Sequence, residues 1–445
     1  MAKDLKQKIY KNLPWFLKNV LVTIYNLRFF TINGSKYKTL KEEYEKKFYE
    51  PDFKLIEQNQ NQRFLELVNY AKNNNSHYKE ILKSIEIKST DDLKNIPILS
   101  KIEFSKLPSS KSDEKKIVGY TGGSTGVSTK FFIFEDDYIE RQANLDFFRG
   151  MYGYKFRDNI AWFSGKEIIT QKDVKKNKFW VKDYINNITY FSTFHLSEDN
   201  IVHMINEINK SNIEYMAGFP SAIYDLIYIW KKRSIPINVN IKAIFPTSEP
   251  LDKEKQEFMA NFLNCSVPDQ YASSEGAPFI YECPHGNLHY DMHSGIFEIV
   301  EDDKLLVTSF TTRCMPLIRF DIGDRVKFDK SKEKCSCGSK MPIIKEIIGR
   351  SMDYVYSPER GKVTVSNISN VVKYLNGVRK LQLIQNDNDY SIIVKYIADK
   401  ELEKELEYEL RYRLGDEIKI SYQRVDEIEA SKNGKFKMII HIDKS

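Results

Sequence analysis

Residues 120–130 read Tyr120-Thr121-Gly122-Gly123-Ser124-Thr125-Gly126-Val127-Ser128-Thr129-Lys130, and this stretch decides how the chain is interpreted. Glycine lets a backbone approach an anion closely, and Ser and Thr hydroxyls add hydrogen-bond donors with little bulk. The apolar run 131–134 follows, so the loop leads into a predicted strand. The composition predicts a loop that holds the phosphates of a nucleotide, and an ordinary polar turn is the alternative.

Two common phosphate loops are excluded by the spacing. A Walker A loop ends in Gly-Lys-Ser/Thr, which is missing after Gly126. The GxGxxG pattern of dinucleotide-binding folds is also absent from the stretch. If the loop binds a nucleotide, it belongs to another class.

Five further segments of mixed glycine, charged and aromatic residues follow along the chain. They are Thr247-Ser248-Glu249-Pro250-Leu251, Tyr271-Ala272-Ser273-Ser274-Glu275-Gly276, Arg319-Phe320-Asp321-Ile322-Gly323-Asp324, Gly349-Arg350-Ser351 and Asn433-Gly434-Lys435-Phe436-Lys437. In order and spacing, the six segments resemble the adenylate-forming ligases. The resemblance is greatest to the branch that contains the phenylacetate–coenzyme A ligases and the CapK-like proteins of capsule polysaccharide biosynthesis. It extends from the region of residue 90 to that of residue 440.

The resemblance implies a set of residues that bind ATP or AMP. They are the phosphate-loop residues Thr121, Gly122, Gly123, Ser124, Thr125 and Gly126, the adenine-side residues Ser248, Glu249 and Pro250, the aromatic-motif residues Tyr271, Ala272, Ser273 and Ser274, the ribose-binding Asp324, and Arg350 of the hinge motif. Tyr271 would offer a ring face to adenine, and Ser274 would contact the α-phosphate. A turn aspartate is the alternative role for Asp324.

Two residues are predicted to take part in catalysis. Glu275 is assigned to Mg²⁺, a hard cation that prefers oxygen ligands. Lys435 follows Asn433-Gly434, a turn that would present its compact charge between the carboxylate substrate and the α-phosphate. Lys437 lies nearby and could substitute, and the other interpretation of Lys435 is a surface lysine.

The sequence departs from the family pattern at two places. Ser128-Thr129 replaces the usual Pro-Lys at the end of the phosphate loop, with Lys130 one position later, which favours the phenylacetate-ligase branch. Met352 occupies the hinge position at which the family usually has an acidic residue. Rotation about neighbouring bonds remains open, because a hinge needs a permissive backbone more than a given side chain.

A second group of residues has the character of a metal site. Cys283 and the two histidines of 285–289 precede Cys335 and Cys337 in the chain. Three thiolates and one imidazole form a closed tetrahedral zinc site. The family resemblance favours His289 over His285, which predicts structural zinc at Cys283, His289, Cys335 and Cys337. Free buried cysteines are the alternative.

The composition sets limits on the class of protein. The chain has 445 residues, 41% hydrophobic and 29% charged, with a net charge of +6, as expected of a soluble globular protein. Its lysines, among them Lys172, Lys175, Lys176 and Lys178, are dispersed, which argues against a nucleic-acid partner. Five cysteines without a disulfide-scaffold spacing and no apparent signal peptide predict a cytoplasmic location.

An apolar run at 13–30 is the only candidate for a membrane contact. Lys18, Asn19, Asn26 and Arg28 interrupt it, so a transmembrane segment is not predicted. A helix lying on a membrane is one alternative, and we expect instead an ordinary buried helix that packs on the main body.

The fold class follows from the order of elements. Strand-like runs at 131–134, 160–163 and 243–245 alternate with helix-like runs at 200–209, 221–232 and 252–263, which predicts a largely parallel sheet covered on both faces. A β-rich lobe is predicted from about 287 to 329, and a small α+β module after Gly349-Arg350. We therefore expect an α/β protein with the adenylate-forming ligase fold, an N-terminal ATP- and acyl-binding domain at 1–350 and a mobile C-terminal domain at 351–445.

The resemblance implies an AMP-forming acid–thiol ligase. A small carboxylic acid would react with ATP and Mg²⁺ to give an acyl-adenylate, and the acyl group would then pass to coenzyme A. Transfer to an amine in capsule biosynthesis and a non-catalytic nucleotide-binding protein are the alternatives. The acyl pocket is expected near Phe191, Phe194, His195, Phe219 and Tyr224, and a homodimer is left open.

Overall fold

The computed structural model describes residues 10, 12–32, 34–120, 130–165, 168–301, 304–329, 335–350, 354–359, 361–364, 368, 371, 375, 377–429 and 436–442. Three sheets of four or more strands organise the chain, and helices cover them.

The described residues between 12 and 106 are mostly helical. The helices are α1 (Trp15–Ile32), α2 (Ser35–Phe48), α3 (Phe53–Asn74), α4 (Ser76–Ile81), a 3₁₀ turn (Thr90–Asn95) and α5 (Lys101–Lys106). Local capping fixes their starts: the Asp52 carboxylate accepts from Lys54 N, and Ser100 forms a capping box with Glu103. Among the described residues, no helix is long and apolar enough to cross a membrane.

Helix α1 turns its polar side towards the main body. Its polar residues Lys18, Asn19, Thr23 and Asn26 are buried against the main body, and its apolar side chains are exposed. The helix packs on the main body as expected but is not fully buried, because its polar side chains find hydrogen-bond partners between Lys182 and Tyr184 and so turn the apolar side outward.

A two-stranded antiparallel hairpin carries the predicted phosphate loop. Its strands are β1 (Lys116–Tyr120) and β2 (Lys130–Phe134), and helix α6 (Glu135–Gly150) follows at once. The interpretation of 131–134 as part of the parallel sheet was therefore wrong. A parallel partner needs a crossover of a dozen or more residues, whereas only nine separate these strands.

The central sheet is mostly parallel, as predicted. Its elements are β3 (Ile160–Ser164), α7 (Gln171–Val174), β4 (Trp180–Asp183), β5 (Ile188–Ser192), α8 (Glu198–Lys210), β6 (Tyr215–Gly218), α9 (Pro220–Lys232), β7 (Ala243–Pro246) and α10 (Lys253–Leu263). The strand order is β4-β5-β3-β6-β7, with only β4 antiparallel. Both faces are covered, since Ala217 and Met216 point into different core clusters.

The β-rich lobe is a seven-stranded antiparallel sheet, which confirms the prediction. Its strands are β8 (Gln270–Tyr271), β9 (Ile280–Glu282), β10 (Leu288–Tyr290), β11 (Gly295–Val300), β12 (Lys304–Ser309), β13 (Phe320–Phe328) and β14 (Ile343–Arg350), in the order β11-β12-β13-β14-β10-β9-β8. This sheet brings the aromatic motif, the ribose motif and the hinge motif into one layer.

The C-terminal part has its own hydrophobic core. It contains β15 (Tyr354–Ser357), β16 (Gly361–Thr364), β17 (Val378–Asn386), β18 (Ile392–Ala398), α11 (Glu403–Leu414), β19 (Ile420–Arg424) and β20 (Ile439–Ile442), with a sheet of order β19-β18-β17-β20. Eighteen buried residues between Val355 and Ile439 pack together. A separate core supports the division at residue 350, which stays a prediction.

Polar contacts join this C-terminal part to helices α8 and α9. Tyr228 Oη donates to Asp399 Oδ2 at 2.7 Å, and Arg379 Nη1 donates to Glu198 Oε1 at 3.2 Å. Lys380 forms an ion pair with Asp225. A contact made by polar side chains is typical of domains that move relative to each other.

Candidate nucleotide site and metal centre

The predicted adenine-side turn follows the last strand of the central sheet. Ser248 has a φ of +71°, a left-handed conformation that is uncommon for a residue with a side chain. The next residue, Glu249, accepts through Oε2 from the Ser221 amide in the first turn of α9, at 3.1 Å. Its Oε1 accepts from the Phe436 amide at 2.8 Å, and burial raises the pKa of this carboxyl. One carboxylate therefore joins the turn to the segment that carries Lys435.

The aromatic motif and the ribose motif meet across the antiparallel sheet. Tyr271 Oη donates to Asp324 Oδ2 at 2.7 Å, and Asp324 is buried. Asp324 also lies opposite Arg350 in the β13–β14 ladder. Gln270 Nε2 donates to the Pro246 carbonyl at 2.8 Å, which ties this strand to the end of β7. Three motifs that are far apart in the chain are thus neighbours.

The loop between Tyr271 and β9 is held by its own backbone and side chains. Ser273 Oγ accepts from the amides of Gly276 at 3.2 Å and Ala277 at 2.9 Å. Gly276 has a φ of +112°, and a Cβ there would overlap the Thr312 side chain, so glycine is required. Ser274 is exposed and Glu275 is half-buried at the tip of this turn, where a ligand could reach them.

A buried arginine supports the same loop from beneath. Arg141 Nη1 donates to the carbonyls of Gly276 at 2.9 Å and Ala277 at 3.1 Å, and to Thr311 Oγ1 at 3.2 Å. Burial lowers the pKa of Arg141 to about 10, so the guanidinium stays charged at neutral pH. Sequence reasoning missed this residue, because a single arginine on a charged helix carries no local signal that it points inward.

Some predicted residues lie outside the described part of the chain. They are Thr121, Gly122, Gly123, Ser124, Thr125, Gly126, Met352 and Lys435. The ends of the predicted phosphate loop are fixed, since Tyr120 and Lys130 are partners in the β1–β2 ladder.

A cleft of about 300 Å³ lies beside the ribose motif. Its walls include three cationic residues that sequence reasoning did not select, Lys101, Lys304 and Arg325. It shares only Asp324 with the predicted nucleotide residues, so the hydrogen bonds between the motifs, rather than this cleft, define the site.

The predicted zinc ligands converge on one point. The ligand atoms of Cys283, His289, Cys335 and Cys337 all lie within 4.8 Å of one another. Cys283 Sγ is 3.7 Å from Cys335 Sγ, and Cys337 Sγ is 3.5 Å from His289 Nε2. A tetrahedral zinc with Zn–S of about 2.3 Å and Zn–N of about 2.0 Å requires edges of about 3.8 Å and 3.5 Å. The four residues therefore fit a closed zinc site.

Hydrogen bonds around the cluster orient the ligands. His289 Nδ1 donates to the Met341 carbonyl at 3.0 Å, which leaves Nε2 with its lone pair towards Cys337. Burial lowers the pKa of His289, which favours the neutral ring that a metal needs. Asn287 Nδ2 donates to Cys335 Sγ at 3.1 Å. His285, by contrast, contacts Ser336 on the surface and lies outside the cluster.

The expected acyl-pocket residues divide into core and partly exposed positions. Phe191 and Phe219 are buried in the core of the central sheet, whereas Phe194, His195 and Tyr224 are half-buried. His195 Nδ1 lies 2.8 Å from Ser192 Oγ, and burial lowers its pKa. The acyl pocket therefore stays a prediction.

Comparison with known proteins agrees with this architecture. Residues 355–442 match the family described as the CapK C-terminal domain. Protein CapK from Staphylococcus aureus is 32% identical over 455 aligned positions, covering 97% of this chain and 98% of the relative.

Solved structures with the same fold are adenylate-bound ligases. A 2-hydroxyisobutyryl-CoA ligase in its postadenylation state gives a TM-score of 0.71 at 13% identity, covering 89% of this chain and 91% of that one. The same ligase with 2-HIB-AMP and CoA in the thioesterification state gives 0.58 at 14% identity, covering 90% and 92%. The chain therefore belongs to the CapK family, and its fold is that of the adenylate-forming coenzyme A ligases.

Proposed function

We infer that this protein activates a carboxylic acid with ATP, forming an acyl-adenylate and releasing pyrophosphate. The observation that carries this inference is the Glu249 carboxylate, which accepts hydrogen bonds from Ser221 and from Phe436. The hydrogen bond from the Phe436 amide links Phe436, the residue that follows Lys435 in the chain, to Glu249 of the adenine-side turn. The fold shared with adenylate-bound ligases supports the same conclusion.

The reaction joins two anions, so the site must offset their repulsion. A substrate carboxylate oxygen attacks the α-phosphorus of ATP, and the bond to the pyrophosphate oxygen breaks. In our assignment Lys435 bridges the two anions, Ser274 contacts the α-phosphate, and Asp324 accepts from the ribose hydroxyls. Tyr271 would orient Asp324 and offer its ring to adenine, and Arg141 is a positioning residue that holds the backbone directly after Glu275.

Two metal ions fit the residues present. The half-buried carboxylate of Glu275 suits Mg²⁺, which would neutralise charge on the phosphates of ATP. The Cys₃His cluster suits zinc with a purely structural role, because four protein ligands leave no open coordination position. Zinc there would join the β9–β10 turn to the loop before β14, and would stabilise the sheet that holds Tyr271 and Asp324.

The acceptor of the acyl group is proposed to be coenzyme A. The support is the fold shared with coenzyme A ligases, two of whose structures contain both an adenylate and CoA. Transfer to an amine during polysaccharide synthesis is the competing assignment. A chemically made acyl-adenylate, offered with coenzyme A or with amino sugars, distinguishes the two by which product forms.

Adenylation is tested by pyrophosphate exchange with a panel of carboxylic acids. We expect exchange that depends on the acid and on Mg²⁺, and its loss in Glu275→Ala and Asp324→Ala. Glu254→Ala, an exposed glutamate on α10, is the matched control and should retain full exchange. Normal exchange in both site variants would refute the nucleotide assignment. No exchange with any acid would favour a non-catalytic nucleotide-binding role.

A further inference from the structure

Helix α1 (Trp15–Ile32) exposes its apolar side. Its large apolar residues have exposed fractions between 38% and 61%; they are Phe16, Leu17, Val20, Leu21, Ile24, Tyr25 and Leu27. Twenty large hydrophobic side chains are exposed among the described residues, and these seven lie on a single helix. A contiguous apolar patch on a protein surface marks an interaction site, whereas single exposed residues do not.

The polar side of the helix is fixed to the body by buried contacts. Lys18 pairs with Asp173, and Asn26 Nδ2 donates to Asp183 Oδ2 at 2.7 Å. Both sides of these contacts are buried, so a rotation of the helix that hid its apolar residues would leave charges without partners. The outward direction of the apolar side is therefore set by the structure.

The same helix covers the edge of the central sheet. Asn19 Oδ1 accepts from the Lys182 amide at 3.0 Å, and Thr23 Oγ1 accepts from the Tyr184 amide at 3.1 Å. These amides lie in β4 and directly after it, at the edge of the sheet where the described residues supply no further strand. The side chains satisfy backbone donors that would otherwise be unpaired, which explains why polar residues face inward here.

The part of the sequence that contains this helix is strongly basic. Residues 1–40 contain eight Lys or Arg and one Asp, so their net charge of +7 exceeds the +6 of the whole chain. Helix α7 and the turn after it add the exposed Lys172, Lys175 and Lys176, and Lys178 Nζ lies 4.9 Å from the Trp15 ring centroid. Helix α7 is joined to helix α1 by the Lys18–Asp173 ion pair.

An apolar helical face with aromatic residues and a basic surround has the chemistry of a helix that lies in a bilayer interface. The helix is too polar to span a membrane. A second copy of the chain would also cover the apolar residues, but it would bring two strongly basic segments together. Charge complementarity therefore favours a negatively charged lipid surface.

We propose that helix α1 docks this protein on an anionic membrane surface. The exposed apolar side chains enter the boundary between headgroups and acyl chains, and the exposed Lys172, Lys175 and Lys176 contact the headgroups.

The test is co-sedimentation of the full chain with vesicles. We expect binding to phosphatidylcholine vesicles containing 30% phosphatidylglycerol, weaker binding to pure phosphatidylcholine, and loss of binding at high salt. The double variant Val20→Glu, Ile24→Glu should bind at least tenfold more weakly. Ile237→Glu is the matched control, because Ile237 is 42% exposed on another surface and Val20 is 45% exposed.

Three results would overturn the proposal. Absence of binding to either vesicle would exclude a lipid surface, and equal binding to both would exclude the role of the lysines. A dimer seen by light scattering without lipid, and dissociated by the double variant, would assign the face to a second copy. Unchanged pyrophosphate exchange and circular dichroism in the double variant show that it is folded, so a loss of vesicle binding can be attributed to the helix face.

Discussion

The pair formed by Tyr271 and Asp324 gives the sharpest prediction about the nucleotide site. In Asp324→Asn, an amide with one oxygen replaces a carboxylate with two, of which Oδ2 already accepts from Tyr271. Hydrogen bonds to a charged group contribute about 1.5–3 kcal/mol, so we expect ATP to bind roughly 10- to 150-fold more weakly. Tyr271→Phe keeps the ring and removes only the hydroxyl that orients the carboxylate. We expect a loss of about 0.5–1.5 kcal/mol.

The double variant tests whether the tyrosine acts through the aspartate. If it does, Tyr271→Phe should add little to Asp324→Asn, with a coupling energy of at least about 0.5 kcal/mol. Calorimetric titration with a non-hydrolysable ATP analogue measures all four proteins. Asp321→Asn is the matched control, since Asp321 Oδ1 accepts from the Gly323 amide at 2.9 Å and an asparagine keeps that acceptor. Wild-type affinity in a folded Asp324→Asn would refute the ribose assignment, and additive losses would refute the orienting role of Tyr271.

Three further predictions concern zinc, catalysis and pH. Cys337→Ser should lower bound zinc, measured by elemental analysis, from about one ion per chain to a small fraction. It should also lower the Tm, because a structural metal contributes folding free energy. Cys265 lies outside the cluster, so Cys265→Ser should change neither the zinc content nor the Tm. Lys435→Ala should slow adenylation at least about 100-fold, which corresponds to about 3 kcal/mol of transition-state stabilisation. In single-turnover kinetics the same variant should transfer the acyl group from a synthetic acyl-adenylate at a nearly normal rate. Lys437→Ala is the control. Burial raises the pKa of Asp269 to about 7, whereas the same carboxyl in the unfolded chain loses its proton near pH 4. Between these values the native state binds the proton and the unfolded state does not. The contribution of Asp269 to the free energy of unfolding therefore falls as pH rises from about 4 to 7. Asp269→Asn should therefore raise the Tm more at pH 8 than at pH 5.

Each of these predictions has an opposing result. Freshly purified, untagged protein without zinc would leave the cysteines as ordinary core residues. Equal losses in both half-reactions of Lys435→Ala would exclude a role specific to adenylation. A pH-independent difference in Tm for Asp269→Asn would mean that the carboxyl titrates normally in the folded protein.

The order of elements was predictable because it depends on local periodicity. The parallel strands, the antiparallel lobe and the C-terminal module lie where apolar runs and turn residues indicated. The strand at 131–134 was misassigned because periodicity shows a strand but not its partner. The short connection between 120 and 130 makes β2 pair with β1 as a hairpin. That pairing could not be inferred from the sequence because 116–120 had not been identified as a strand.

The site was predictable where function requires residue types in a fixed order. The cluster of Cys283, His289, Cys335 and Cys337 is an example, because few residue types bind zinc. Arg141 was not predictable, since its partners are backbone carbonyls brought close only by the tertiary fold. Helix α1 was misread for the same reason: the partners of its polar residues, such as Asp173, lie more than 150 residues away.

The two oxygens of Glu249 also couple proton binding to the position of the segment that contains Phe436. Burial raises the pKa of this carboxyl, whereas the amides of Ser221 and Phe436 favour its ionised form. A proton on the carboxyl would leave fewer oxygen lone pairs for these two amides. Ionised Glu249 therefore holds Phe436 at the adenine-side turn more firmly than protonated Glu249 does, so ionisation of this one side chain and attachment of the segment next to Lys435 favour each other.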